Sequence, residues 1–570
     1  MKRRMMLRLV LFLVVGSVTV MRLLMSFSLR MWYAPSQAYD DFVPVLQSIW
    51  SQSESTPVLL CKNQGYSYWG RMLRFLNLNA DLAQFMLWFC AAVLIALVLH
   101  VLFRRVWISL LGYIYILWNP VAFENWLGAR LYRNSLFAPC LFILISLFIL
   151  IINHQTPLLK RSKERSISAK SNACKIFSYF LLCVFAGAVT AFLYLLKEDS
   201  IWIVPLFVFV VFYKLYLLVK VRQMRTRGAN VLYVAATLSM VCVMLSGLCF
   251  ASLHNQMHYG VKLLNTRTEG EVAGFVERIY QIDSDNQNPT IWAPEDSIEK
   301  AFDVSPTLNA IPGFRYGIMH KAFATPDIKV NPLKGDFLGW QIRIVMGYSD
   351  QWKDEREVQE IFKRVNSEID EAFDNGSLKR TSKISIIKSI VPRDIQEILS
   401  VIKPSIKAMF WTVDARNVYS VSTNLNNDSL DWENQVGLEL YGINAKSPNS
   451  PRLSLLSTDN ARKIAFSVSR LYVLLNYVLL VAFVATVVYS LIRRRKTSFP
   501  YVRMCAFLIL MILYAWVYCF TVAWYAEFIQ SDYVLYFYTN GSALPFVQTA
   551  LLIGGGLLYC RLVSHKETID

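Results

Sequence analysis

The 570-residue chain has no cysteine between His254 and Asp459, its longest polar stretch. Whatever that stretch forms is held without disulfides. No CxxC pair or mixed Cys/His spacing of the zinc-binding kind occurs elsewhere. Charge is scarce too: Asp, Glu, Lys and Arg make up 17% of the chain, against about 25% in ordinary soluble domains. There is no internal repeat, which excludes solenoids and propellers, and no low-complexity tract. No polar segment carries a basic stripe interleaved with aromatics. The net charge of +18 therefore does not point to nucleic acid.

What the chain does have is long apolar runs. Hydrophobic residues make up 55% of it, gathered in stretches nearly free of charge. About 18 or more such residues suffice to cross a hydrocarbon core about 30 Å thick. The runs predict spans at 6–28, 82–103, 106–122, 135–153, 176–196, 201–219, 230–252, 465–491, 501–525 and 543–562, about ten in all. The first run is longer than the apolar core of a signal peptide, about 7–15 residues. It is read as a retained helix, although 34–38 (Ala-Pro-Ser-Gln-Ala) has the small residues of a cleavage site.

The basic residues sort by loop. Between His254 and Asp459 there are 23 Lys and Arg against 28 Asp and Glu, which leaves 35 basic and 12 acidic residues for the apolar parts and their short loops. Clusters at 2–4, 104–105, 160–165, 220–227 and 493–496 fall in every second loop. By the positive-inside rule those loops and both termini are cytoplasmic. The expectation is a multi-pass protein of the cell membrane with three parts. Residues 1–252 form a seven-helix module, 253–462 an inserted extracytoplasmic α or α+β domain, and 463–570 a three-helix module. Within the insert, 358–373 has helical spacing and is stopped by Asn375-Gly376, whereas 407–412 and 436–441 read as strands.

The loops of the other side place ionisable residues beside spans, where holding them costs free energy. The first contains Tyr39, Asp40, Asp41 and Lys62, the second Arg130 and Arg133, and the third is the turn Lys197-Glu198-Asp199. If the helices bundle, these loops can meet in one cavity at the membrane surface. A carboxylate there can take a proton from a hydroxyl. Arg130, Arg133 and Lys197 can hold the phosphate of a lipid carrier, with Glu198 or Asp199 setting their geometry. The bland readings stand beside these: a solvated acidic pair, snorkelling arginines, a polar turn. His254 and His258 have i, i+4 spacing, but the sequence offers no third metal ligand near them.

The layout, with Tyr39-Asp40-Asp41 after the first span, resembles the GT-C superfamily of membrane glycosyltransferases. Asn119-Pro120, Leu131-Tyr132-Arg133-Asn134-Ser135-Leu136, Lys197-Glu198-Asp199-Ser200-Ile201-Trp202, His258-Tyr259-Gly260 and Val304-Ser305-Pro306 are similar to stretches of a bacterial subgroup whose members mostly lack an assigned function. The likeness covers roughly the first 310 residues. Familiar members carry their soluble domain after the last span, whereas here a large loop is inserted before the eighth.

The resemblance implies transfer of a sugar, with inversion, from a polyprenyl-phosphate donor to an extracytoplasmic acceptor. Asp40 matches the family's catalytic acid, Asp41 would orient the acceptor or replace it, and His258 and Tyr259 join the supporting set. No cofactor is required. A divalent metal is possible on the outer carboxylates but nothing in the sequence indicates one. The partners are the lipid-linked sugar, the acceptor and membrane lipid. A flippase for a lipid-linked sugar and a non-catalytic scaffold of the envelope are the alternatives.

Overall fold

A computed structural model describes residues 2–29, 31, 47, 59–124, 126–154, 169–222, 227–319, 333–385, 389–414, 456–492, 499–529 and 532–566. Asp40, Asp41 and Tyr39 lie outside the described residues, as does the strand expected at 436–441.

The first part of the chain contains α1 (Lys2–Ser28), α2 (Gly65–Phe75), α3 (Ala80–Phe103), α4 (Val106–Leu117), α5 (Asn134–Asn153), α6 (Ala169–Leu196), α7 (Ile203–Arg222) and α8 (Arg227–Tyr259). Shorter helices follow: α9 (Gly270–Gln281), α10 (Glu295–Val304), α11 (Pro306–Ala310), α12 (Phe314–Met319), α13 (Leu338–Tyr348), α14 (Glu355–Asp374), α15 (Ile395–Ser400) and α16 (Ile402–Trp411). The chain ends in α17 (Thr458–Ile492), α18 (Phe499–Ala526), α19 (Asp532–Ser542) and α20 (Leu544–Lys566).

Among the described residues, ten helical stretches are long and apolar enough to cross a membrane, and each overlaps one of the runs read from sequence. The protein is a helical, multi-pass membrane protein. Helices are the solution because a bilayer offers no water to backbone N–H and C=O groups, which must pair within each segment. Local signals set the ends. The Asn79 side chain accepts from Asp81 N at 2.7 Å to start α3, and Arg104 ends it in the left-handed conformation at φ 56°. The fourth span sits at the centre, with 94% of its apolar window buried.

Antiparallel alternation of the ten crossing helices puts the start of α1 and the end of α20 at one end of the bundle. The connections after α1, α4, α6, α8 and α18 lie at the other, here called the loop end. The regular elements in the described part of the segment between α8 and α17 are all helices, joined by turns and irregular stretches, with isolated bridges at Ile282–Arg380, Ile291–Lys334 and Ile384–Arg393. That corrects the expected strand at 407–412, which lies largely in α16. Phe410, Trp411 and Thr412 favour strands, but Ser405 and Ala408 are buried and pack the helix on α18; tertiary contact outweighs propensity.

The helix expected over 358–373 is α14. Asp354 caps it, accepting from Glu357 N at 2.8 Å, and Gly376 at φ +80° follows its end. Its buried face (Val358, Phe362, Val365, Ile369) packs on α9, with the Phe275 and Phe362 rings 5.2 Å apart. The segment is seated on the spans through Trp292, whose ring lies 5.9 Å from Tyr525 and 5.1 Å from Phe528.

Candidate functional site

At the loop end, close backbone approaches bring together residues distant in sequence. Gly65 begins α2 against the end of α6, and a Cβ there would stand 2.5 Å from the Leu195 carbonyl oxygen. That contact lays Lys62 and Asn63 beside Lys197 and Glu198. Gln47 secures the stretch, donating to the Leu59 and Lys62 carbonyls at 2.5 and 3.0 Å and accepting from Ser67 at 2.7 Å.

The loop after α4 folds back in the same manner. Glu124 accepts from the backbone N–H groups of Trp126 and Leu127 at 2.8 and 2.6 Å. A Cβ on Gly128 would meet the Val121 carbonyl oxygen at 2.2 Å, so only glycine lets the loop turn under itself. The turn delivers Arg130, Tyr132 and Arg133 to one place.

Three cations surround the ring of Tyr132. Lys62 Nζ lies 5.3 Å from its centroid, the Arg130 guanidinium 4.7 Å and that of Arg133 5.2 Å. Lys62 also donates to the Tyr132 hydroxyl at 3.4 Å, and Arg130 lies 4.9 Å over Trp126. Lys62 is 1% exposed, Arg130 4% and Arg133 8%. Buried cations are costly without compensating partners, and aromatic faces supply part of the compensation here.

The 197–199 turn completes the group. Glu198 forms an ion pair with Arg133 and accepts from Asn63 N at 2.8 Å. Lys197 lies 4.7 Å over Phe137, 5.3 Å over Tyr538 and 3.6 Å from Asp199, which accepts from the Tyr518 hydroxyl at 3.4 Å. Burial pulls the Lys197 ammonium below its usual pKa, against the opposing pull of Asp199.

Of the residues expected from sequence, Lys62, Arg130, Arg133, Lys197, Glu198 and Asp199 thus come together. His258 and Tyr259 lie at the end of α8. The ring of His258 is 4.3 Å from that of His254, on the side of Tyr68 rather than Tyr132. Among the described residues, no group of three or more His, Cys, Asp or Glu is placed to hold a metal ion.

The structure adds residues that the sequence does not single out. Trp340, at the start of α13, lies 5.9 Å from Lys62 Nζ and 5.9 Å from the Arg267 guanidinium. Arg267 pairs with Asp336, and the Tyr525 hydroxyl donates to Asp336 at 3.0 Å. Burial opposes the Arg267 cation, but Asp336 and its other neighbours outweigh burial and hold its pKa well above the ordinary value. Next to it, Thr266 N donates to the Leu60 carbonyl at 2.8 Å while Arg343 donates to the Thr266 carbonyl at 2.5 Å. Arg267 lies well past the span read at 230–252, within the inserted segment, so the span-edge rule that picks out Arg130 does not find it. Trp340, Tyr525 and Tyr538 carry no such signal either.

The arrangement can bind an anion that has both charge and an apolar or ring-bearing neighbour, at the boundary of a membrane. The chain matches no protein-family model, no curated protein and no solved structure.

Proposed function

We propose that the protein is a GT-C-type membrane glycosyltransferase. It moves a sugar from a polyprenyl-phosphate donor to an extracytoplasmic acceptor in the cell envelope. The observation that carries the reading is the convergence of Lys62, Arg130 and Arg133 on the ring of Tyr132, with Lys197 on the adjoining turn. Lys62 belongs to the loop that also contains Asp40 and Asp41. In sequence the basic clusters fall in every second loop, which by the positive-inside rule supports a cytoplasmic side for those loops and the opposite side for the cation cluster.

In this mechanism the cations hold the donor phosphate. Asp40 takes the proton of an acceptor hydroxyl, and the freed oxygen attacks the anomeric carbon from the face opposite the phosphate. The bond from that carbon to the phosphate oxygen breaks and polyprenyl phosphate departs. Arg130, Arg133 and Lys197 stabilise the charge developing on it. Asp41 orients the acceptor. Residues 253–462 contribute Arg267 and Trp340 on the water side, where an acceptor arrives.

The test is a transfer assay. The protein in nanodiscs is offered a panel of polyprenyl-phosphate sugars and extracted envelope acceptors, beside an Asp40→Asn/Asp41→Asn double variant. Release of polyprenyl phosphate by the wild type and not by the variant is the expected result. Equal release from both sinks the mechanism. Movement of the donor across the bilayer without release selects a flippase instead.

A further inference from the structure

Two hydrogen bonds report the depth of α16, a helix in the polar segment between the seventh and eighth spans. Ser405, near its start, accepts from the Trp516 indole N–H at 3.1 Å. Just past its end, the Val413 carbonyl accepts from Asn476 Nδ2 at 2.7 Å, and Asn476 accepts from the Tyr115 hydroxyl. Trp516 belongs to α18 and Asn476 to α17, both crossing helices.

A crossing takes about 20 residues. Any 20-residue window within α18 starts no later than 507 and ends no earlier than 518, so it contains Trp516. α17 opens with the charged Asp459, Arg462 and Lys463, so its crossing window starts between 464 and about 475, and even an 18-residue window then contains residues 475–481, and so Asn476. Wherever the bilayer sits along these helices, both ends of α16 are tied to groups inside it.

The faces of α16 agree with that depth. Ser405 and Ala408 are buried. Lys403, Ile406, Lys407 and Phe410 form the opposite face at helical spacing and are exposed, Ile406 by 45% and Phe410 by 54%. Lys407 reaches Asp532 at 2.6 Å, at the exposed start of α19. A lysine that lays its stem along apolar surface and lifts its head to a polar group is snorkelling. Trp516 and Phe520, both half-buried, continue one stripe beside it with their rings 6.0 Å apart, as aromatics do at a membrane boundary.

We propose that α16 is an interfacial membrane helix. It lies in the leaflet at the loop end of the bundle, with Ile406 and Phe410 against lipid acyl chains and Lys403 and Lys407 among the headgroups. The occupant of this face is lipid, not water and not another protein. The inference is independent of glycosyl transfer.

Carbene footprinting of the wild-type, full-length protein in phosphatidylethanolamine/phosphatidylglycerol nanodiscs tests it. One sample receives a lipid-partitioning diazirine and a parallel one a water-soluble diazirine. Modification is read at single residues by mass spectrometry. Val481, 69% exposed on α17, reports lipid; Glu357, exposed on α14, reports water. The expected lipid-to-water labelling ratio at Ile406 and Phe410 matches that of Val481 and exceeds that of Glu357 by about tenfold or more, as an apolar face buried in the acyl boundary requires. A ratio equal to that of Glu357 overturns the proposal. So does protection from both reagents, which would mean that protein covers the face.

Discussion

The backbone N–H of Asn63 donates to the Glu198 carboxylate at 2.8 Å, and the same carboxylate pairs with Arg133. One side chain therefore joins the loop after the first span, the loop after the third and the turn after the fifth. Removing it as Glu198→Ala leaves Arg133 buried without that charge. Breaking such a pair from one side costs about 3–5 kcal/mol when it is fully buried, and the slight exposure of this one places it toward the lower end. The expected outcome is a lower apparent unfolding temperature in nanodiscs and loss of transfer. Glu198→Gln keeps an acceptor for Asn63 and falls between. A Glu198→Ala protein as stable as the wild type would show that the ion pair does not hold the loops.

Gly65 makes that meeting possible. Its Cα faces the Leu195 carbonyl so closely that a methyl group would stand 2.5 Å from the oxygen. Backbone lies on both sides of the contact, so relief requires moving α2 away from α6. Gly65→Ala is expected to cost about 1–3 kcal/mol, the usual range for overpacking. It should also lower transfer by shifting Lys62 and Asn63. Gly313→Ala is a control for loss of glycine itself, since its Cβ would meet nothing within 4 Å, although its φ of +67° brings some strain of its own. Thermal unfolding and transfer measured side by side distinguish the two.

Tyr132 offers a graded test of the cation cluster. Tyr132→Phe keeps the ring and loses the hydroxyl that accepts from Lys62 at 3.4 Å. Tyr132→Leu removes the face that three cations share. At about 0.5–2 kcal/mol for a cation–π contact, the leucine variant should bind polyprenyl phosphate about tenfold or more weakly, and the phenylalanine variant within a few-fold of wild type. Equal binding by both variants would mean that the ring only fills space.

The spans were legible because a bilayer imposes a composition on each of them, and no tertiary detail is needed to see it. Arg130, Arg133, Lys197 and Glu198 were legible for a related reason: an ionisable residue at the edge of an apolar run is conspicuous. Trp340 and Tyr538 were not, because an aromatic residue in a mixed segment looks the same whether it covers a cation or fills a core. They reach the site only through the packing of α13 and α19. The misread stretch at 407–412 shows the limit of local propensity. Its β-favouring residues sit on a helix that a crossing neighbour holds in place. The acidic pair Asp40-Asp41, to which the resemblance gives the catalytic role, lies outside the described residues, and the transfer assay tests it directly.

Glu355 supplies a prediction that does not depend on substrate. It begins α14, is 1% exposed and lies beside Arg343 and Trp352. Burial pushes its carboxyl up from 4.5 to about 7, partly offset by Arg343. Between those two values the folded protein keeps a proton that the unfolded chain has released. Its contribution to stability is therefore greatest below about pH 4.5 and falls as pH rises through about 7, with no further change above that. The full swing is about 3 kcal/mol, since each tenfold difference in proton affinity between the folded and unfolded chain is worth about 1.4 kcal/mol. Glu355→Gln carries no titrating proton, so its unfolding temperature should be flatter across this window and should exceed that of the wild type above neutral pH. Parallel slopes for wild type and Glu355→Gln would show that the carboxyl is ionised in the folded protein and that Arg343, rather than burial, governs it.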